Sequence, residues 1–196
     1  MKYVSIDIET TGLDPEKDQI LEFGAVIDDT LRPDVPIEEL PTFRMLVGHD
    51  RITGEPEAIT MNAGLIAEIA KTPMSRDGKT GCCHASRLAA NFAVFLINNG
   101  FQVNIGGQYE YVVAGKNFGV FDRAFLDRVG HWNGIHRTKR RTLDPAILYF
   151  DPLTDDAPPS LNECLKRAGF DSVVKHTAVD DALDVVRVLR HKWRKA

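Results

Sequence analysis

The sequence predicts an α/β domain: a mixed sheet, with an antiparallel meander joined to parallel strands, flanked by helices. Three observations predict it. Residues 3–9 alternate apolar and polar, as a strand does. Two further apolar runs, Ile20 to Ile27 and Thr42 to Val47, follow after turn-forming residues. The remainder then mixes helical spacing with short strand-like runs and ends in a capped amphipathic helix.

In the first strand Val4, Ile6 and Ile8 point one way and Tyr3, Ser5, Asp7 and Glu9 the other, so two carboxylates share a face. Thr10-Thr11-Gly12-Leu13-Asp14-Pro15 is turn chemistry, and the run from Ile20 returns beside the first strand. Asn62 to Ala70 and His84 to Asn98 carry helical spacing, the latter through Leu88, Ala89, Phe92, Phe95 and Leu96. Thr72 to Gly81 reads as an exposed loop. Tyr111 to Ala114 reads as a short buried strand, Gly119 to Val129 as a helix through Phe121, Phe125, Leu126 and Val129, and Thr142-Leu143 as a further strand. Ser160-Leu161-Asn162-Glu163 is a capping box for a helix that Gly169 stops. Thr177 caps the final helix, whose residues Ala178, Ala182, Val185, Val186, Leu189 and Trp193 fall within about 100° of arc.

Composition agrees with one globular unit over residues 1–196: 43% hydrophobic and 27% charged residues supply a core without the excess charge of a disordered chain. No apolar run is long enough to span a bilayer and the opening residues carry no leader pattern, so the expectation is a cytoplasmic protein without a membrane partner. Cys82, Cys83 and Cys164 provide neither a disulfide framework nor a zinc spacing, and Cys82-Cys83-His84 in direct succession cannot converge on one ion. A net charge of −4 argues against a long duplex as ligand. The basic residues are uneven, with His136-Arg137-Thr138-Lys139-Arg140-Arg141 in one stretch and Arg187, Arg190, Lys192, Arg194 and Lys195 near the end; each run fits either a solvated face or phosphate contact.

Asp7 and Glu9 sit on a strand too apolar to be a surface ribbon, and burying two like charges unpaired costs several kcal/mol, on the order of the desolvation penalty of an ion. A metal ion answers that cost; an arginine for one and water for the other is the alternative. Asp122 follows Asn117-Phe118-Gly119 at the start of a helix, and Asp181 follows His176 at the start of the last one. On the helical wheel Asp181 falls at the margin of the apolar stripe, roughly 40° from Val185, whereas Asp180 falls nearly opposite its centre. Taken singly, each of these acids fits a helix cap or a surface position.

Taken together, Asp7-Ile8-Glu9-Thr10-Thr11-Gly12-Leu13, Asn117-Phe118-Gly119-Val120-Phe121-Asp122 and His176-Thr177-Ala178-Val179-Asp180-Asp181 resemble, in order, the three motifs of the DnaQ-like DEDDh superfamily of 3'-5' exonucleases. Gln19 to Ala25, Thr142-Leu143-Asp144 and Ser160 to Glu163 resemble smaller family features; residues 31–111 match only in their general run of elements. The resemblance implies an RNase H-like fold, with Asp7, Glu9, Asp122 and Asp181 binding two Mg²⁺ ions, Mn²⁺ substituting, and His176 as general base. It implies release of 5'-mononucleotides from single-stranded DNA or RNA 3' ends. It also implies that backbone groups of Thr10 to Gly12 meet the terminal 3'-hydroxyl and that Leu13 packs on the last base. Met61 and Asn62 would cover the other side of that base, with Asn117 and Phe118 touching the next nucleotide; for Met61 and Phe118 a core position is the alternative. Relatives of this kind act as homodimers or as polymerase partners, so a non-catalytic module attached to a polymerase is the second reading and an RNase H-type endonuclease the third.

Overall fold

The computed structural model describes residues 1–170 and 177–194. Strands β1 (Lys2–Thr10), β2 (Ile20–Asp29) and β3 (Thr42–Gly48) form the expected antiparallel meander. Then come α1 (Pro56–Met61), α2 (Ala63–Lys71), β4 (Cys82–His84), α3 (Leu88–Asn98) and β5 (Tyr109–Ala114). The last third holds α4 (Asp122–Leu126), α5 (Trp132–Ile135), β6 (His136–Thr138), α6 (Pro145–Tyr149), α7 (Leu161–Ala168) and α8 (Ala178–Arg194). The sheet order is β4-β3-β2-β1-β5-β6, and β4, β5 and β6 join their neighbours in parallel. No described helix is long and apolar enough to cross a membrane.

The period-two pattern of β1 divides the core between the two faces of the sheet. Val4, Ile6 and Ile8 pack with Phe23, Leu88, Phe92 and Phe125 on one face. Tyr3 packs with Val26, Ala182, Val185, Val186 and Leu189 on the other, so the face that carries Asp7 and Glu9 is the face that α8 covers. β1 lies between β2 and β5, which is why its polar face is enclosed rather than solvated.

Helix α8 is fixed to that face at both ends. Near its start, a Cβ on Gly24 would lie 2.2 Å from the Ala178 carbonyl carbon, so only glycine admits the helix this close to β2. Near its end, Arg190 grips Asp28 through two bonds, Nη2 to Oδ1 at 2.5 Å and Nε to Oδ2 at 3.0 Å, and the Tyr3 hydroxyl donates to the same carboxylate at 2.7 Å. Thr177 Oγ1 accepts from the Asp180 N–H at 3.2 Å, the expected cap.

Several elements differ from the sequence reading. The helix expected over 119–129 shrinks to α4, because Asn117 adopts a positive φ of 60° and the chain turns before Asp122. The strand at Thr142-Leu143 is a single bridge between Leu143 and Ala114. Cys82-Cys83-His84, read as neither ligand set nor strand, forms the edge strand β4, where the small buried cysteines pack beside β3. The stretch opening at His136 begins with strand β6, and His136 itself is 2% exposed, its ring tilted against Trp132 with centroids 4.4 Å apart, its pKa lowered by burial to about 4. It is a neutral core residue and no part of a basic surface. The helix from Ser160 matches expectation, with Ser160 Oγ accepting from Glu163 N–H and Gly169 in the left-handed region at its end. The Glu163 carboxylate turns to Arg167, leaving the capping box half made.

Candidate active site

The site is built at the C-terminal end of β1, where α8 begins. Carboxylate oxygens of Asp7, Glu9 and Asp181 all lie within 4.8 Å of one another, although they come from the first strand and the last helix. Asp122 is not part of that trio but adjoins it: it is buried at 3% exposure, and its carboxylate is close enough to raise the pKa of Asp7. His176, the expected base, lies outside the described residues.

Among the described residues the electrostatics of the site are dominated by acids. Burial first, then Asp122, Asp181 and Glu9, push the Asp7 carboxyl well above the usual carboxylate range. Burial, with Asp181 and Glu22, raises Glu9 to about 7. Burial also raises Asp122 to about 7, against the opposing pull of nearby backbone N–H groups. An all-oxygen donor set of this density fits hard divalent ions.

Glu22 extends the cluster from β2. It pairs with Glu9 across the β1–β2 ladder, its side chain is fully buried, and it accepts from the Ala178 N–H at 2.7 Å. Arg44 closes its other side through Nε and forks onto Glu68 at 2.8 and 2.9 Å. Burial raises the Glu22 pKa even so. Sequence reading placed Glu22 only in a family-like run; its role needs the strand register and the helix start together.

The turn after β1 is held from two sides. Thr11 exchanges bonds with Gln19, its N–H to the Gln19 carbonyl at 2.9 Å and its hydroxyl from the Gln19 N–H at 2.9 Å, and its carbonyl accepts from Glu55 N–H at 2.8 Å. Thr10 Oγ1 donates to the Gly12 carbonyl at 2.7 Å, and a Cβ on Gly12 would meet Asp18 and Glu55. Asn62 Nδ2 donates to the Thr10 carbonyl at 3.1 Å, so this side chain fastens α2 to the turn. Leu13 and Met61 stand out from the surface at 81% and 85% exposure. Phe118 is a correction: at 1% exposure it belongs to the core beside Leu126 and Trp132, because the turn at Asn117 drives it inward, and it has no face to offer a base. Asn117 is exposed, and its N–H donates to Asp144 Oδ2 at 2.9 Å. Asp144 also caps α6 by accepting from Ala146 N–H at 2.9 Å; the Asp144-Pro145 pair carries that signal in the sequence.

A half-buried trio of carboxylates on a mixed α/β sheet makes an acidic site whose donors could hold a metal ion. The comparisons narrow it. The exonuclease family RNase_T matches residues 4–78. The nuclease domain of 3'hExo, described as a DEDDh family member bound to rAMP, superposes with a TM-score of 0.66 at 16% identity, covering 100% of this chain and 92% of that one. The zinc-bound E. coli ExoI–ssDNA complex gives 0.65 at 15% identity, covering 99% of this chain but only 40% of ExoI, so the chain spans well under half the length of that enzyme. Cell-death related nuclease 4 (CRN-4) gives 0.61 at 14% identity, covering 100% of this chain and 64% of that one. No curated protein matches the sequence. The fold is RNase H-like, and over residues 4–78 the chain is similar to the exonuclease family RNase_T.

Proposed function

We propose that the chain is a metal-dependent 3'-5' exonuclease that hydrolyses the terminal phosphodiester bond of single-stranded DNA or RNA and releases 5'-mononucleotides. The observation that carries this reading is the convergence of Asp7, Glu9 and Asp181 within 4.8 Å, with Asp122 against the same strand. These four acids would hold two Mg²⁺ ions, with Mn²⁺ as a substitute. Bound there, the ions supply the positive charge that activates a water and stabilises a leaving 3'-oxygen.

The protein's own groups do the rest. His176, five positions before Asp181 as in the family motif, takes the proton of the water as its oxygen attacks phosphorus. The bond from phosphorus to the 3'-oxygen of the penultimate nucleotide breaks, and that oxygen picks up a proton from solvent. The backbone of Thr10 to Gly12, stapled by Gln19 and Glu55, presents a rigid edge to the terminal 3'-hydroxyl. Leu13 and Met61, both protruding, pack on the terminal base, which explains two large apolar side chains left in water at one rim. Asn62 supports this edge through Thr10, and Asn117 meets the next nucleotide.

The test is a 5'-labelled single strand incubated with Mg²⁺. A ladder shortening from the 3' end is expected. No product from any DNA or RNA strand, or products that begin with internal cuts in a circular strand, would overturn the reading. Asp7→Ala abolishes cleavage, and His176→Ala slows it by roughly two to four orders of magnitude.

A further inference from the structure

The exonuclease reading leaves the basic stretch after β6 without a task. We infer that the flank formed by Arg123, Arg137 and the Lys139–Arg141 bulge is the track on which the single strand upstream of its 3' end is held through its phosphates. This rests on the exonuclease reading and extends it to the path of the substrate.

The bulge is tied to the site by its own backbone. Lys139 N–H donates to the Tyr111 carbonyl at 2.9 Å and Leu143 N–H to the Val113 carbonyl at 2.9 Å, so residues 140–142 loop out beside the end of β5. Gly115 N–H donates to the Leu143 carbonyl at 3.2 Å, and a Cβ on Gly119 would lie 3.8 Å from Thr142 Oγ1. The bulge therefore adjoins the turn that delivers Asp122. Lys139, Arg140 and Arg141 are exposed.

Beside it, Arg123 and Arg137 border a cavity of about 200 Å³ that Gln108, Asn133 and Thr138 also line over Trp132. The acids near these arginines hold them loosely: Arg137 to Glu110 and Arg123 to Asp127 are both 3.8 Å, between exposed side chains. Such pairs contribute about 1 kcal/mol or less and yield to a phosphate. Five cationic side chains against two carboxylates make this flank positive in a chain whose net charge is −4. On the other side of the site Asp18 and Glu55 crowd Gly12, with Lys17 interacting with both. The concentration of cationic side chains on the β6 side favours it for a polyanion leaving the metal acids.

The experiment compares a single strand of about 12 nucleotides with a dinucleotide, a length that spans one groove against a length that cannot leave the site. For K139A/R140A/R141A, KM for the long strand rises about tenfold or more, KM for the dinucleotide changes by less than about twofold, and the slope of log KM against log salt falls by about 2, at ~0.7 per lost contact. Equal effects on both lengths, or no effect, would overturn the track. So would the same length-dependent loss in K71A/R76A/K79A, which removes equal charge near the opposite, β4 edge of the sheet. If the wild type cleaves neither substrate, the exonuclease reading is what fails. Anisotropy of the labelled long strand then decides the track, which falls if the triple variant binds it as tightly as wild type.

Discussion

The Ala178 N–H donates to Glu22 Oε2 at 2.7 Å across 156 positions of sequence. That bond anchors the first turn of α8 to β2, and with it Asp181, one turn further on, above Asp7 and Glu9. A helix N-terminus is stabilised by a carboxylate at its free N–H groups, and this one is fully buried. Glu22→Ala leaves that N–H without its acceptor and Arg44 with Glu68 alone, costing about 1–3 kcal/mol of stability. Glu22→Gln keeps an acceptor for Ala178 and should recover most of the melting temperature and of kcat. Thermal melts and single-turnover rates on both variants check this, and equal losses in both would count against anchoring.

Gly24 sets the approach of the same helix. A methyl group there meets the backbone of Ala178 and Val179 at 2.2–2.4 Å, and backbone cannot swing aside as a side chain does. Gly24→Ala should therefore displace the start of α8, lowering stability by about 1–3 kcal/mol. Activity should fall further than the melting temperature explains. Metal titration by calorimetry checks the difference: affinity for Mg²⁺ drops when Asp181 moves off its two partners.

Asp7, Glu9 and Asp122 give the metal-free protein a pH dependence of definite sign. Each carboxyl holds its proton more tightly folded than unfolded, with Glu9 and Asp122 at about 7. Their contribution is thus fully present below the usual carboxylate range and is lost as pH rises through about 7, by several kcal/mol over the cluster, on the order of 1.4 per pKa unit. In EDTA the melting temperature should fall from about pH 5 to pH 8, and Mg²⁺ should restore it most at the upper end, where the acids are ionised. A flat profile would remove the physical case for the cation site. Asp28 acts in another window. Burial would raise it, but Arg190 and the Tyr3 hydroxyl together hold it below its usual value, so its stabilisation is lost only as pH falls through the acid range.

Phe118, Leu13 and Met61 should separate by stability. Phe118→Ala empties a core position and costs about 3–5 kcal/mol. Leu13→Ala and Met61→Ala remove exposed side chains, leave stability within about 0.5 kcal/mol and raise KM for the strand. Chemical denaturation paired with steady-state kinetics reads both axes.

Much of this molecule was legible from residue order alone. The alternation of Tyr3 to Glu9, the meander and the caps at Ser160, Gly169 and Thr177 are local patterns, because side-chain period and capping depend on neighbours a few positions away. The motifs around Asp7, Asp122 and Asp181 were likewise written in short runs. What remained illegible depended on contacts between distant segments. Phe118 turned into the core because Asn117 bends the chain before α4, and His136 left the basic stretch because Trp132 and Phe92 enclose it. The edge strand at Cys82-Cys83-His84 exists only because β3 offers it a ladder. Sequence thus determined which acids are present and which face of each element carries them. Only the tertiary structure, through Gly24, Glu22 and the Arg190–Asp28 grip that hold α8 on the sheet, decided that the first strand and the last helix bring Asp7, Glu9 and Asp181 together, since that distance is set by packing between elements that no local pattern encodes.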